Sequence, residues 1–279
     1  MYDLKVGVQL YSLRDDMEKD MDATLGAVKA MGYDYVEFAG YFGKSAEEIA
    51  ALLDKHGLKC ISVHQTYDHF LEKGQEAVDF LKTFGVKYAT IPWMGTEYQK
   101  GTELHDQAVA DIKKVAELLK ANDMQLLYHN HDFEFEKFED KYVLEWLYEE
   151  VGLDLMKPEL DTCWVHYAGV EPAGYVKKYA GNAPVVHLKD FVCEKLGGGP
   201  VYDLISDDGS VDETKKPDKA ETGFAFRPCG DGIQNFKAIL DAAVEAGTEY
   251  VIVEQDVCPT ATPLESVKKS REYLRTLGL

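Results

Sequence analysis

Four segments of the 279-residue chain run from apolar residues into a cluster of ionisable ones: YHNHDFEF at 128–135, ELDTCW at 159–164, HLKD at 187–190 and VEQD at 253–256. Carboxylates and imidazoles brought together make a mixed oxygen and nitrogen donor set, which suits a divalent ion such as Mn²⁺, Co²⁺, Mg²⁺ or Zn²⁺. Glu134, Asp161, His187 and Glu254 form one such set. Spacing alone does not prefer Glu134 to His129 and His131, which lie two apart and so share one face of an extended strand. A site with two histidines therefore competes with a site built on Glu134. Lys189 lies two residues past His187, faces the same way on a strand and can polarise a ligand oxygen. Pairing of Lys189 with Glu159 or Asp190 is the structural alternative.

These clusters need a scaffold that brings several strand ends to one place. Short β-rich runs alternate with longer helical patterns along the whole chain, the rhythm of βα units around a parallel sheet. The candidate strands are Lys5–Leu10, Tyr35–Phe38, Cys60–His64, Tyr88–Pro92, Gln125–His129, Met156–Asp161, Val185–Lys189 and Tyr250–Glu254. Between them apolar residues recur at helical spacing, as in Ala108, Ile112, Val115, Ala116 and Leu119. A glycine precedes the strand in AMGYDYVEF, KHGLKCISV, TFGVKYATI and EAGTEYVIV, where a left-handed helix cap needs a residue without a Cβ. Eight units without a compositional break match a single (β/α)8 barrel over residues 1–279, a fold of about 250 residues. A doubly wound sheet would place a glycine-rich phosphate turn after its first strand, and here that strand runs into YSLRDD. One connection, at about 190–232, is unusually long and is expected to form a lid or binding loop over the catalytic face, with a mobile middle, a bland insertion being the alternative.

Composition narrows the setting. Hydrophobic residues make up 46% of the chain, enough for a sizeable core. Fifty acidic against thirty basic residues give a net charge of −20, which disfavours nucleic acid and anionic membrane as partners. The five cysteines form no CxxC pair and read as reduced thiols. The N-terminal stretch lacks the layout of a secretory signal, and no apolar run is long enough to span a membrane. A cytoplasmic location is the expectation.

With YHNHDFEF, ELDTCWVHYAG, VVHLKD and VIVEQD in this order, the chain resembles the xylose isomerase-like barrels, a family of sugar isomerases and epimerases within the AP endonuclease 2-type superfamily. The resemblance runs from VGVQLYSLRDD to PLESVKKSREYL. It implies metal ligands at Glu134, Asp161, His187 and Glu254, with Glu134 and Glu254 also serving as the acid/base pair on either side of a sugar. His64, His129, Glu37, Lys189 and Arg227 are the candidate contacts to sugar hydroxyls, and Trp164, Trp93 and Phe38 the apolar wall against a sugar face. Well-understood ketose epimerases of this barrel carry a histidine three residues after the sixth-strand aspartate, whereas this chain carries Trp164.

The reaction this implies is metal-assisted proton transfer next to a carbonyl, which isomerises or epimerises a ketose or polyol ketone. Only four arginines and the net negative charge favour a non-phosphorylated sugar. The same site could instead expel an oxygen from the enediolate, as a lyase acting on a 3-keto glycoside. A non-catalytic sugar-binding barrel is the alternative of another class. A homo-oligomer fits the resemblance.

Overall fold

All eight expected strands form, each within one residue of its expected ends: β1 (Lys5–Gln9), β2 (Tyr35–Ala39), β3 (Lys59–His64), β4 (Tyr88–Ile91), β5 (Gln125–His129), β6 (Met156–Asp161), β7 (Val185–Leu188) and β8 (Tyr250–Val253). In this computed structural model, which describes residues 2–197 and 223–279, they close into one parallel barrel in which β8 pairs with β1. The middle of the long connection expected at about 190–232 lies outside the described residues. Its two ends form a short antiparallel hairpin, Asp190–Val192 against Ala225–Arg227, just past β7.

The helices follow the same local rules. Ten of them lie among the described residues, from α1 (Arg14–Ala30) and α2 (Ala46–His56) to α7 (Thr162–Tyr167), α9 (Phe236–Ala246) and α10 (Pro263–Thr276). Ser45 and Glu48 make a capping box at the start of α2, and Thr262 and Glu265 make another at α10, so orphan backbone donors at both ends are satisfied. Gly57 and Gly247 close α2 and α9 with φ of 64° and 77°, the left-handed caps expected at KHGLKCISV and EAGTEYVIV. Among the described residues no helix is long and apolar enough to cross a membrane.

Alternation along the strands sorts the side chains. One set faces out to the helices and forms the main core, and the other fills the barrel. Low in the barrel the filling is apolar: Tyr35, Ile61, Tyr88, Leu127, Val185, Tyr250 and Ile252 pack as a separate cluster. Toward the C-terminal strand ends the inward positions become polar, and the register sets them side by side: His129 pairs with Glu159, and Asp161 with His187. Phe38 neighbours inward-facing Glu37 and so points outward, against Tyr41 and Phe84, which removes it from any sugar-facing wall.

Candidate metal centre and proton-transfer site

Asp161 shows how the local fold builds the site. It ends β6 and is the N-cap of α7, where its Oδ1 accepts from the Cys163 amide at 2.8 Å. The other oxygen, Oδ2, is buried and faces the Lys189 ammonium at 3.1 Å. Asn130, just past β5, clamps the two strand ends by accepting from the Asp161 amide at 3.0 Å and donating to its carbonyl at 3.2 Å. That clamp sets His129 beside Asp161, with Nε2 to Oδ2 at 3.6 Å.

His187 and Glu254 complete a group with His129 and Asp161 in which one donor atom from each lies within 4.8 Å of all the others. His187 Nδ1 is 2.9 Å from Glu254 Oε2. Lys189 extends into the same space, its Nζ 3.1 Å from Asp161 Oδ2, 2.9 Å from Glu254 Oε2 and 3.1 Å from Asp256 Oδ2. It pairs with neither Glu159 nor Asp190, because both of those carboxylates are engaged elsewhere. Asp190 accepts from the amides of Gly230, Gly232 and Gln234, anchoring the turn that returns the chain from the hairpin. A Cβ on Gly232 would meet Asp190 Oδ1 at 2.2 Å, so that turn requires glycine.

Glu134, expected as a ligand, is not brought into the donor group. Its carboxylate accepts from the Tyr128 hydroxyl and the His131 amide, and it is absent from both donor groups that the described residues form. After β5 the chain turns into a 3₁₀ segment, Phe133–Phe135, which folds Glu134 back to outward-pointing Tyr128. His129, the competing reading from the sequence, is the β5 residue that lies in the group. Burial pushes the Glu134 carboxyl up to about 8 against the pull of those two donors.

Below the mouth lies a second layer. His64 Nε2 is 2.8 Å from Glu159 Oε1 and 3.0 Å from Glu37 Oε1, and Gln9 donates to Glu37 at 2.7 Å. Glu37 is fully buried among these donors, which places it beneath the mouth instead of at a sugar-facing edge. Arg227 turns its guanidinium onto the Phe226 carbonyl at 2.8 Å, and no bond joins it to the donor group. Trp164 is buried beside the site, with Lys189 Nζ 5.2 Å from its ring and Phe224 stacked at 5.6 Å. Trp93 is half-buried just past β4. Two members of the site were missed from the sequence, Glu159 and Asp256. Both lie two residues from a chosen ligand on the same strand or its extension, so the period of two would have found them.

Electrostatics follow from the burial. Burial opposes the Lys189 charge, yet Asp161, Asp256 and Glu254 outweigh it and hold the ammonium well above the usual lysine range. Burial raises Asp256 to about 6, with Lys189 pulling the other way. Burial also works against His64, but Glu37 and Glu159 raise it to about 10. His129 goes the opposite way, held neutral by burial and by the neighbouring positive imidazoles. Neutral imidazole is the ligating form, so His187, where burial is outweighed by Glu37 and Glu159 and the ring is held well above the usual histidine range, would give up a proton to bind an ion. Two imidazole nitrogens and two carboxylate oxygens, all buried and within 4.8 Å of one another, fit a tetrahedral or five-coordinate dication of the zinc, manganese or cobalt type.

The profile of the xylose isomerase-like TIM barrel matches residues 25–277, and the chain belongs to that family. Among curated relatives, the inosose dehydratase of Mesomycoplasma hyopneumoniae (strain 7448) is 24% identical over 98% of this chain and 96% of its own. The inosose dehydratase of Clostridium perfringens (strain ATCC 13124) is 26% identical over 71% of this chain and 67% of its own. Of solved structures, a sugar phosphate isomerase/epimerase from Parabacteroides distasonis superposes with a TM-score of 0.75 at 23% identity, covering 99% of this chain and 94% of that one. The IOLI protein with a binding zinc atom superposes with a TM-score of 0.69 at 17% identity, covering 98% of both chains. These two structures share the fold.

Proposed function

We propose that the chain is a metal-dependent lyase of keto-sugars or cyclic polyol ketones, which removes the proton next to the carbonyl and then expels an oxygen from the β-carbon. The observation that carries this reading is the convergence of His129, Asp161, His187 and Glu254 with the Lys189–Asp256 pair at one barrel mouth. The names of the curated relatives, inosose dehydratases, support elimination over the isomerisation expected from the family resemblance. Trp164, standing where ketose epimerases carry a histidine, supports the same choice.

The zinc in the IOLI structure supports a dication held by His129, Asp161, His187 and Glu254. When bound, such an ion supplies a Lewis acid for the carbonyl oxygen of the substrate. Proton transfers then fall to the chain's own groups. The Asp256 carboxylate takes the proton from carbon, and its two electrons form the carbon–carbon double bond of the enolate. As the enolate collapses, the β-carbon–oxygen bond breaks, and the Lys189 ammonium gives its proton to the leaving oxygen. Water leaves from a polyol ketone, an alcohol from a glycoside. Asp256 and Lys189 are hydrogen-bonded at 3.1 Å, so the proton gained by one returns to the other and the pair resets. Trp164 and Phe226 cover Lys189 and keep bulk water from the ammonium.

The test is mass spectrometry in D₂O with Mn²⁺, Co²⁺ or EDTA, using inosose-type ketones, free ketoses and 3-keto glycosides. Metal-dependent loss of water or aglycone, abolished by Lys189→Met, is the expected result. Deuterium gain without any loss of mass would return the protein to the epimerase reading. Substantially faster turnover of a phosphorylated substrate would overturn the choice of a neutral one.

A further inference from the structure

Both histidines of the metal centre have a second ring nitrogen, and both of these lie near one buried carboxylate, Glu159. His129 Nδ1 lies 3.3 Å from Glu159 Oε1, and His187 Nε2 lies between the same oxygen, at 3.2 Å, and Glu37 Oε1, at 2.9 Å. His64 Nε2 reaches that oxygen at 2.8 Å, and the Thr90 hydroxyl donates to the other, Oε2, at 2.9 Å. Glu159 is fully buried on β6, two residues before Asp161, and so is fixed to the same strand as a third donor of the group. We infer that Glu159 is a positioning residue for the metal centre: it orients the His129 imidazole and, together with Glu37, that of His187, and so fixes which nitrogen each presents to the ion. The inference rests on the metal reading above.

The chemistry favours this over a second ion in the lower layer. His64, His129, Glu159 and His187 also offer a group of donors within 4.8 Å of one another. The three rings converge on the single oxygen Glu159 Oε1 at 2.8–3.3 Å, the arrangement of hydrogen bonds to one acceptor. Ions in both layers would also have to share His129 and His187, each as a doubly deprotonated ring. With one ion at the mouth, His129 keeps its remaining proton for Glu159 and His187 keeps its own for Glu159 and Glu37, the usual carboxylate–histidine–metal arrangement.

The test uses full-length protein stripped with chelator and titrated with Co²⁺. It reads stoichiometry, affinity by chelator competition and the visible ligand-field spectrum. Wild type is expected to bind one equivalent. Glu159→Gln should bind it about 10–100-fold more weakly with an altered spectrum, while Glu159→Asp recovers part of the loss. Glu249→Gln, at the opposite end of the barrel, serves as a control and should match wild type. Circular dichroism verifies that each variant folds, and should Glu159→Gln fail to fold, His64→Gln is titrated instead, with a smaller weakening expected. Wild-type affinity and spectrum in the folded Glu159 variant would overturn the inference while leaving the metal reading intact. Two equivalents in wild type, one of them lost in the variant, would overturn it in favour of a lower ion. A wild-type protein that binds no Co²⁺ would remove both.

Discussion

The two ends of the barrel each hold a lysine against carboxylate, and they differ in solvent. At the lower end Lys87 pairs with Glu249 at 2.8 Å, side chains 48% and 43% exposed, over the rings of Tyr88 and Tyr250. At the upper end Lys189 is 1% exposed and faces Asp161, Glu254 and Asp256. The lower pair can be lost to water at little cost, whereas removing Lys189 strands three buried charges. Between the two ends the filling changes from apolar to ionisable within a few residues of each strand. The lower layer therefore reads as structure and the upper layer as function, as is usual for this fold.

The sharpest way to break that contrast is Lys189→Met. Without metal it should destabilise the protein by about 3–5 kcal/mol, measured by urea unfolding in EDTA. The ammonium and a dication neutralise the same carboxylates, so Mn²⁺ or Co²⁺ should restore much of the loss. Equal destabilisation with and without metal would show that the lysine and the ion do not share a site. Asp161→Asn separates two duties of one side chain. Asparagine is as good an N-cap as aspartate, so α7 stays in place, while the charged donor is lost. Co²⁺ affinity should fall by at least about 100-fold, beyond the 10–100-fold losses seen when a supporting group is removed. An unchanged affinity would place the ion elsewhere.

The strands, their order and the layering were legible because each strand carries a two-residue period and each unit ends in a turn signal. The residue that β5 brings to the donor group was not. His129, His131 and Glu134 all follow the same apolar run, and the choice depends on how the chain leaves the strand. The Asn130 clamp to Asp161 and the 3₁₀ turn at Phe133–Phe135 bring His129 and not Glu134 to the group, and the clamp depends on a contact between strands that no local pattern carries. Glu159 was legible in principle, since it shares a strand face with Asp161. It was passed over because its partners, His64 and Thr90, sit 95 and 69 residues away.

Glu134→Gln sharpens that distinction with a smaller effect. Co²⁺ affinity should remain at the wild-type value, where a ligand would lose it. The carboxyl is raised from 4.5 to about 8 in the folded chain. A raised value means the folded state favours the protonated form, so its contribution is present below pH 4.5 and drains away as pH rises toward 8. The glutamine variant should lack this part of the slope when stability is followed between those limits. A parallel pair of pH profiles would contradict the buried, protonated assignment.

The smallest effect belongs to the lower lysine. Lys87→Met removes a pair whose two members are nearly half exposed, so water replaces the lost partner and Glu249 is not left stranded. Lys87 lies 4.9 Å from the Tyr88 ring and 5.9 Å from that of Tyr250, and methionine preserves much of this apolar contact. The change in stability should stay within about 1 kcal/mol, shrink further at high salt, and be the same with and without Mn²⁺. Dependence on metal here would couple the two ends of the barrel across the apolar layer of Leu127, Val185 and Ile252, and the division between a structural floor and a functional mouth would fail.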